Sequence, residues 1–268
     1  MTKLAYLAGR GVIAVAGADR VGFLNGLVSN DVAKVAAGQA VWAAMLTPQG
    51  RYFSDFFMFH DEERLLLDAP RTAVPEILKK LNRYKLRAAV TLTDVSEMFH
   101  AYAAWEGAPP PVPITAPDPR LREAGFRLLS EVALVPNAAP DEYDAHRHWL
   151  GLPDGPPDLE ADKTLLLEAG FDELNGVDWQ KGCYMGQELT ARTKYRGLVK
   201  RRLVPVQCSD TIKTGALVMA DGAEVGDVRS FSGRMGLAML RVDALQKSLS
   251  ADRAVVTPKL PGWLVIPA

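Results

Sequence analysis

Residues 181–192, Lys-Gly-Cys-Tyr-Met-Gly-Gln-Glu-Leu-Thr-Ala-Arg, set one of only two cysteines between glycines, with a cation at each end and an amide–carboxylate pair at Gln187-Glu188. A cysteine kept for packing would sit on an apolar strand or helix face. Cys183 instead lies between Gly182 and Gly186, where the backbone can approach a ligand closely. Lys181, Arg192 and a helix start near Gln187 would favour the thiolate, the form that binds metals and attacks electrophiles. Nucleophilic catalysis wants a neighbouring base, yet His60, His100, His146 and His148 are all remote from Cys183 in sequence. A structural zinc or iron–sulfur site takes about four protein ligands, and the chain has no C-x-x-C pair. A cluster at Cys183 would therefore draw its other ligands from a second protein or a small thiol. The bland alternative is a cysteine tolerated in a glycine-rich turn.

The elements that must position this loop are read from period and punctuation. Gly11–Ala16 is a short apolar run, and Ala18–Val28 predicts a helix with Val21, Leu24 and Val28 on one face. Val41–Leu46, the turn Thr47-Pro48-Gln49-Gly50 and Arg51–Phe59 predict a hairpin. Arg64–Asp68 predicts a strand, Thr72–Tyr84 a helix and Ala88–Thr93 a strand. The succession lacks G-x-G-x-x-G, which argues for α+β layers over a doubly wound dinucleotide-binding sheet. Six prolines in Gly107–Pro119 exclude helix interior and central strand there. Asp141–Leu150 predicts a helix. From Leu203 onward short strands follow at close spacing (203–206, 216–220, 224–231, 235–241, 253–257 and 263–266), a small barrel or sandwich of about 65 residues.

At 268 residues the chain favours one large unit plus a smaller one, and we place the boundary so that residues 1–198 form the body, with two interleaved parts, and 199–268 the barrel. A net charge of -1 gives no bulk attraction to nucleic acid or membrane. No stretch approaches the roughly 20 apolar residues of a membrane span, and Met1–Arg10 has no leader pattern, so the expectation is a soluble cytoplasmic protein without membrane partners. Cys183 and Cys208 read as free thiols.

The string Lys-Gly-Cys-Tyr-x-Gly-Gln-Glu, preceded by Leu-Asn-Gly-Val-Asp-Trp (174–179) and followed by Arg-Gly-Leu-Val-Lys-Arg-Arg-Leu (196–203), resembles the YgfZ family of folate-binding proteins. The runs Gly-Gln-Glu-Leu-Thr-Ala-Arg-Thr (186–193), Leu-Glu-Ala (167–169) and His-Arg-His-Trp-Leu-Gly-Leu-Pro-Asp-Gly (146–155) are most similar to its mitochondrial branch, which assists iron–sulfur cluster assembly. Phe-Leu-Asn-Gly-Leu-Val-Ser-Asn-Asp (23–31), Thr-Pro-Gln-Gly-Arg (47–51) and Tyr84-Lys85-Leu86-Arg87 resemble segments shared with the glycine cleavage T-protein, an aminomethyltransferase. The resemblance covers nearly the whole chain, with residues 100–140 its weakest part.

The resemblance implies an α+β fold: a T-protein-like folate-binding body with ferredoxin-like layers and a small C-terminal β-barrel. It implies an accessory factor for iron–sulfur cluster assembly or repair, linked to tetrahydrofolate and supporting cluster enzymes, tRNA-modifying ones included. Cys183 would be the reactive residue and a ligand of a transient cluster shared with an A-type carrier protein. Lys181, Gly182, Tyr184, Gly186, Gln187, Glu188 and Arg192 would support the loop. Asn30, Asp31, Gln49, Arg51, Asp55, Tyr84, Arg87, Trp149, Glu168 and Trp179 would surround the folate. Two departures stand out: the T-protein's pterin-gripping glutamate corresponds to Trp149, and its Asp-Asp pair reads Ser54-Asp55. The competing class is a tetrahydrofolate-dependent aminomethyl transferase; a third is a folate-binding module without chemistry.

Two basic clusters remain, Lys79, Lys80, Arg83, Lys85, Arg87 and Lys194, Arg196, Lys200, Arg201, Arg202. Each could meet a folate tail, an acidic protein or an RNA backbone, or be a solvated face. With no interleaved aromatics or RNA module, direct tRNA binding is the weakest of these.

Overall fold

The structure, a computed structural model, describes residues 1–267. Its body opens with β1 (Lys3–Tyr6), β2 (Arg10–Ala16) and α1 (Arg20–Asn25), followed by β3 (Val41–Leu46), β4 (Tyr52–Asp61) and β5 (Arg64–Pro70). Then come α2 (Val74–Lys85), β6 (Thr91–Asp94), β7 (His100–Trp105), β8 (Ile114–Pro117), β9 (Phe126–Ser130), α3 (Pro140–Leu150) and α4 (Gln187–Tyr195). One antiparallel sheet has the order β3-β4-β5-β2-β6, and a second has the order β1-β7-β9-β8. Among the described residues no helix is long and apolar enough to cross a membrane.

Alternation along the strands explains why the central runs are apolar on both faces. Val41, Ala43 and Met45 point with Phe56, Met58 and Leu67 into a core that Leu24 of α1 and Ile77 and Leu81 of α2 cover. Trp42, Ala44 and Leu46 point the other way with Phe57 and Phe59, toward Ala101, Ala103 and Trp105 of the second sheet. A sheet buried twice has no polar face to expose.

The predicted hairpin is present, closed by Thr47 N–H to Arg51 O at 2.8 Å and Gly50 N–H to Thr47 O at 2.9 Å. The first helix is shorter than its apolar period suggested, ending at Asn25, because Gly22 and Gly26 weaken the turn and Val28 instead bridges to Met45. The second sheet was not legible in the sequence, since β7 and β9 carry few β-branched residues; only the proline-rich stretch announced itself, and it yields the edge strand β8.

The remaining strands, β10 (Arg201–Cys208), β11 (Leu217–Ala220), β12 (Ala223–Ser232), β13 (Met235–Arg241), β14 (Leu249–Ala251) and β15 (Ala254–Pro258), close a barrel in the order β10-β13-β12-β11-β14-β15. Residues 263–266, predicted as a strand, are irregular: Trp263 leaves the barrel to donate from Nε1 to Leu150 O at 2.8 Å, and β14 takes the sixth place. Barrel and body share further bonds, from Leu203 N–H to Glu168 O at 2.8 Å and from Arg202 to Leu167 O at 2.6 Å.

His148, on α3, sits in this junction with Nε2 2.8 Å from Ser230 Oγ of β12. Burial, and after it the adjacent Arg147, push its imidazole down to about 3. A neutral buried histidine that charges when released makes the unfolded chain bind the extra proton. Stability should therefore fall as pH drops below about 6.5, by about 1.4 kcal/mol per unit. Melting temperatures between neutral pH and pH about 4 should show a shallower slope in His148→Gln than in the parent; equal slopes would exclude His148 as the source.

Candidate functional site

Cys183 is exposed, whereas Cys208 is buried on β10. The loop that carries it is tied down on three sides. Asp178 Oδ1 accepts from the backbone N–H groups of Gln180 and Lys181 at 2.7 and 3.1 Å, and Met185 N–H donates to Gly26 O at 3.1 Å. The Tyr184 N–H donates to Gln187 Oε1 at 3.0 Å. Gly186, at φ +80°, ends the loop and starts α4, and it lies against the hairpin turn, where Gly50 has the same left-handed φ. The two glycines interlock: a Cβ on Gly50 would come within 2.6 Å of Gly186 O, and one on Gly186 within 2.5 Å of Thr47 O. Only glycine at both positions lets the backbones approach this closely.

Docking the turn onto the loop builds an open cleft of about 730 Å³ lined by Pro48, Gln49, Arg51, Cys183, Gln187 and Arg192, with Tyr184, Gly186, Glu188 and Leu189. Burial pushes the Tyr184 phenol up to about 12, so it serves as a packing group under the thiol loop. Arg51 donates to Lys163 O at 2.8 Å and so is fixed at the rim. Among the described residues no group of three or more His, Cys, Asp or Glu is arranged to hold a metal ion.

Lys181 does something other than what its sequence neighbourhood suggests. Its ammonium donates to three backbone carbonyls, those of Asn25 at 2.7 Å, Val28 at 2.7 Å and Asn30 at 2.9 Å. All three protons are thus spent on the end of α1 and the chain that follows it. Burial pushes the ammonium down to about 8, opposed by Asp31 and Asp178. Lys181 thus staples the loop to the body, a supporting part in the motif. Arg192 is the motif cation that lines the cleft with Cys183.

The ten residues expected around a folate do not converge. Asn30 and Trp179 line a second cleft of about 700 Å³ with Lys34, Gln39, Asn175 and Gln180. Asn30 is also an internal brace, donating to Trp42 O at 2.8 Å and Asn175 O at 2.7 Å. Asp31 caps the short helical turn that follows, and Trp179 donates to Asp172 at 2.7 Å. Gln49 and Arg51 belong to the Cys183 cleft. Trp149 is 61% exposed and lines a third cleft with Trp263 and Leu260, on the far end of α3. Glu168 is raised by burial, against Arg201 and Arg51, at the junction with the barrel. Tyr84, in the last turn of α2, packs half-buried against the core, and Arg87 is exposed beyond the helix end.

Asp55 was expected on a strand facing a central cavity. It is instead wholly buried, accepting from Trp42 Nε1 at 2.8 Å and Tyr52 Oη at 2.7 Å, and burial raises its carboxyl. Trp42 stacks on Phe171 with centroids 3.9 Å apart, which fills the space beside it. Side-chain volume at these positions decided this, and strand periodicity carries no such signal. Gln39 and Asn175, which face the second cleft, were missed, although Asn175 stands in the string Leu-Asn-Gly-Val-Asp-Trp that carries the family resemblance.

Two antiparallel sheets with flanking helices and an appended six-stranded barrel define the fold of the aminomethyltransferase T-protein. The aminomethyltransferase T of the glycine cleavage system from Bartonella henselae superposes with a TM-score of 0.76 over 99% of this chain and 87% of its own, at 16% sequence identity, a likeness of fold. Residues 200–265 match the C-terminal β-barrel domain of CAF17. The chain is 32% identical to the mitochondrial iron–sulfur cluster assembly factor IBA57 of Mus musculus, over 96% of this chain and 84% of that protein. It is 37% identical to the mitochondrial IBA57 homologue of Mycosarcoma maydis over 76% of this chain, spanning 57% of the fungal protein. The chain belongs to the IBA57 family of iron–sulfur cluster assembly factors. These relatives bear out the assembly-factor branch of the motif resemblance and overturn the cytoplasmic expectation, because they are mitochondrial proteins.

Proposed function

We propose that the protein assists iron–sulfur cluster assembly by lending Cys183 as one ligand to a cluster that an A-type carrier protein supplies and completes. The observation that carries this reading is an exposed thiol in an open cleft, held by a braced loop, with no second cysteine or histidine lining that cleft and no group of three or more metal-binding side chains among the described residues. A lone exposed thiol of this kind suits brief ligand sharing better than storage. Cluster enzymes, those that modify tRNA included, would be the recipients.

Tetrahydrofolate is proposed as a ligand of the second cleft. Gln39 and Asn175 offer amide donors and acceptors there, and the Trp179 indole offers a flat apolar surface, which together fit a pterin edge and face. The carboxylate lining that cleft, Asp178, is engaged by Lys34 and by the Gln180 and Lys181 N–H groups, and Asp55 is walled off, so aminomethyl transfer finds no uncommitted acid group at this place and is the disfavoured second reading. Calorimetry with tetrahydrofolate on Asn175→Ala and Trp179→Ala tests the assignment: binding unchanged in both would sink it.

The assembly reading is tested by anaerobic mixing of the protein with a cluster-loaded carrier. A visible absorption spectrum of a shared cluster should form with the parent protein and be absent with Cys183→Ser. An identical spectrum with the serine variant would overturn the proposal. Turnover of a tetrahydrofolate substrate without any carrier would establish the transferase reading instead.

A further inference from the structure

The two basic clusters of the sequence differ in how far the fold pairs them. In the second, Lys194 pairs with Asp172, Arg201 with Asp227, and Arg202 with Glu173. Three of its five cations are thus paired, while Arg196 and Lys200 are exposed and in no ion pair among the described residues. In the first, Lys79 pairs with Glu76 and Lys80 lies over the Phe53 ring at 3.8 Å, with Asp162 the carboxylate that acts on it. Arg83, Lys85 and Arg87 form no ion pair with any carboxylate among the described residues, although Arg83 and Arg87 are exposed.

At the centre of this unneutralised group stands Leu86, with φ 45°, ψ -109° and 88% of its surface exposed. The Ala88 N–H donates to Lys85 O at 2.8 Å, so Leu86 is the first inner residue of a four-residue turn. Its angles are those of a type II′ turn, a place that calls for glycine. A leucine here costs backbone strain and displays an apolar side chain to water, and neither helps the fold. Strained backbone of this kind clusters at functional sites, and here it stands exposed among unpaired cations.

We propose that the C-terminal end of α2 is a docking surface for an acidic segment of a partner protein, which seats an apolar side chain against Leu86 while its carboxylates pair with Arg83, Lys85 and Arg87. The charge of the surface selects an acidic partner. Leu86 selects protein over RNA, because an RNA site uses exposed aromatics for stacking, and Tyr84, the aromatic of this segment, is packed into the body. The surface reaches toward the Cys183 cleft through Lys80, whose partner Phe53 lies two residues beyond Arg51 on the rim.

The test is fluorescence anisotropy with a labelled peptide of glutamate and aspartate around one leucine, the same peptide with alanine, and a single-stranded RNA of equal charge. The leucine peptide should bind several-fold tighter than the alanine peptide and tighter than the RNA. Arg83→Glu with Arg87→Glu should weaken it at least about tenfold. Leu86→Gly separates docking from folding: it should raise the melting temperature by about 2–4 °C while weakening the peptide several-fold. Cys183→Ser should bind the peptide as the parent does, so failure here is distinct from failure of the cluster proposal. Binding that ignores the charge reversal, binding that ignores Leu86→Gly, or tighter binding of the RNA would each overturn the inference.

Discussion

Asp68→Asn should destabilise the protein by about 3–5 kcal/mol, a large part of the total stability of a typical domain. Asp68 is buried between the sheets, where its Oδ1 takes Arg10 at 2.6 Å and its Oδ2 takes Arg127 at 2.7 Å. The amide keeps the shape but removes the charge that two buried guanidinium groups share, and an uncompensated buried cation is far more costly than the pair was favourable. Asp154 also touches Arg10, at 2.7 Å, but it cannot neutralise both arginines. Urea denaturation should show a lower midpoint at an unchanged slope. Asp61→Asn, which breaks the part-exposed pair with Arg64, should cost under about 1 kcal/mol. Equal effects of the two substitutions would mean that the buried network contributes nothing special. The same network adds to acid sensitivity: burial would raise the Asp154 carboxyl, but Arg10 foremost and then Arg127 and Arg147 hold it below the usual range. A depressed carboxylate contributes stability above its unfolded value of about 4 and loses it on further acidification, so the effect has the same sign as that of His148.

Gly186→Ala should cost about 1–3 kcal/mol and disable cluster sharing while leaving Cys183 in place. The added methyl meets Thr47 O at 2.5 Å and Gly50 Cα at 3.0 Å, both backbone atoms that cannot step aside as a flexible side chain would. Relief requires the loop to lift off the hairpin turn, which opens the cleft and detaches Gln49 and Arg51 from Cys183. Gly182→Ala is the control, because no atom lies within 4 Å of the Cβ it would gain. Anaerobic mixing with a loaded carrier should give a normal shared spectrum for Gly182→Ala and a much weaker one for Gly186→Ala. A normal spectrum from both would show that the interlock does not set the geometry of the site.

Much of the fold was legible because the relevant patterns are local. The 47–50 turn, the apolar stripe of α2 and the closely spaced C-terminal strands each announce themselves within a dozen residues. The sheet of β1, β7, β9 and β8 did not, since its strands are separated by up to about a hundred residues and β7 is rich in alanine. The loop around Cys183 was recognisable from residue types and spacing. Its neighbours in space were not: Lys181 turns to three carbonyls more than a hundred residues earlier in the chain, and the expected folate residues scatter over three clefts and a closed core.

The sequence by itself determined that Cys183 stands alone in a glycine-flanked loop and that it is the chemically informative residue, because ligand counting needs only composition and spacing. It also determined where cations cluster. The tertiary structure alone decided which of those cations are paired, placing carboxylates on Lys194, Arg201 and Arg202 and none on Arg83, Lys85, Arg87, Arg196 or Lys200 among the described residues. It alone decided that Asp55 is sealed behind Trp42 and Tyr52 while the Cys183 loop rests open against Gly50. Pairing and burial are properties of distance in space, and chain separations of twenty to a hundred and fifty residues carry no local pattern from which to read them.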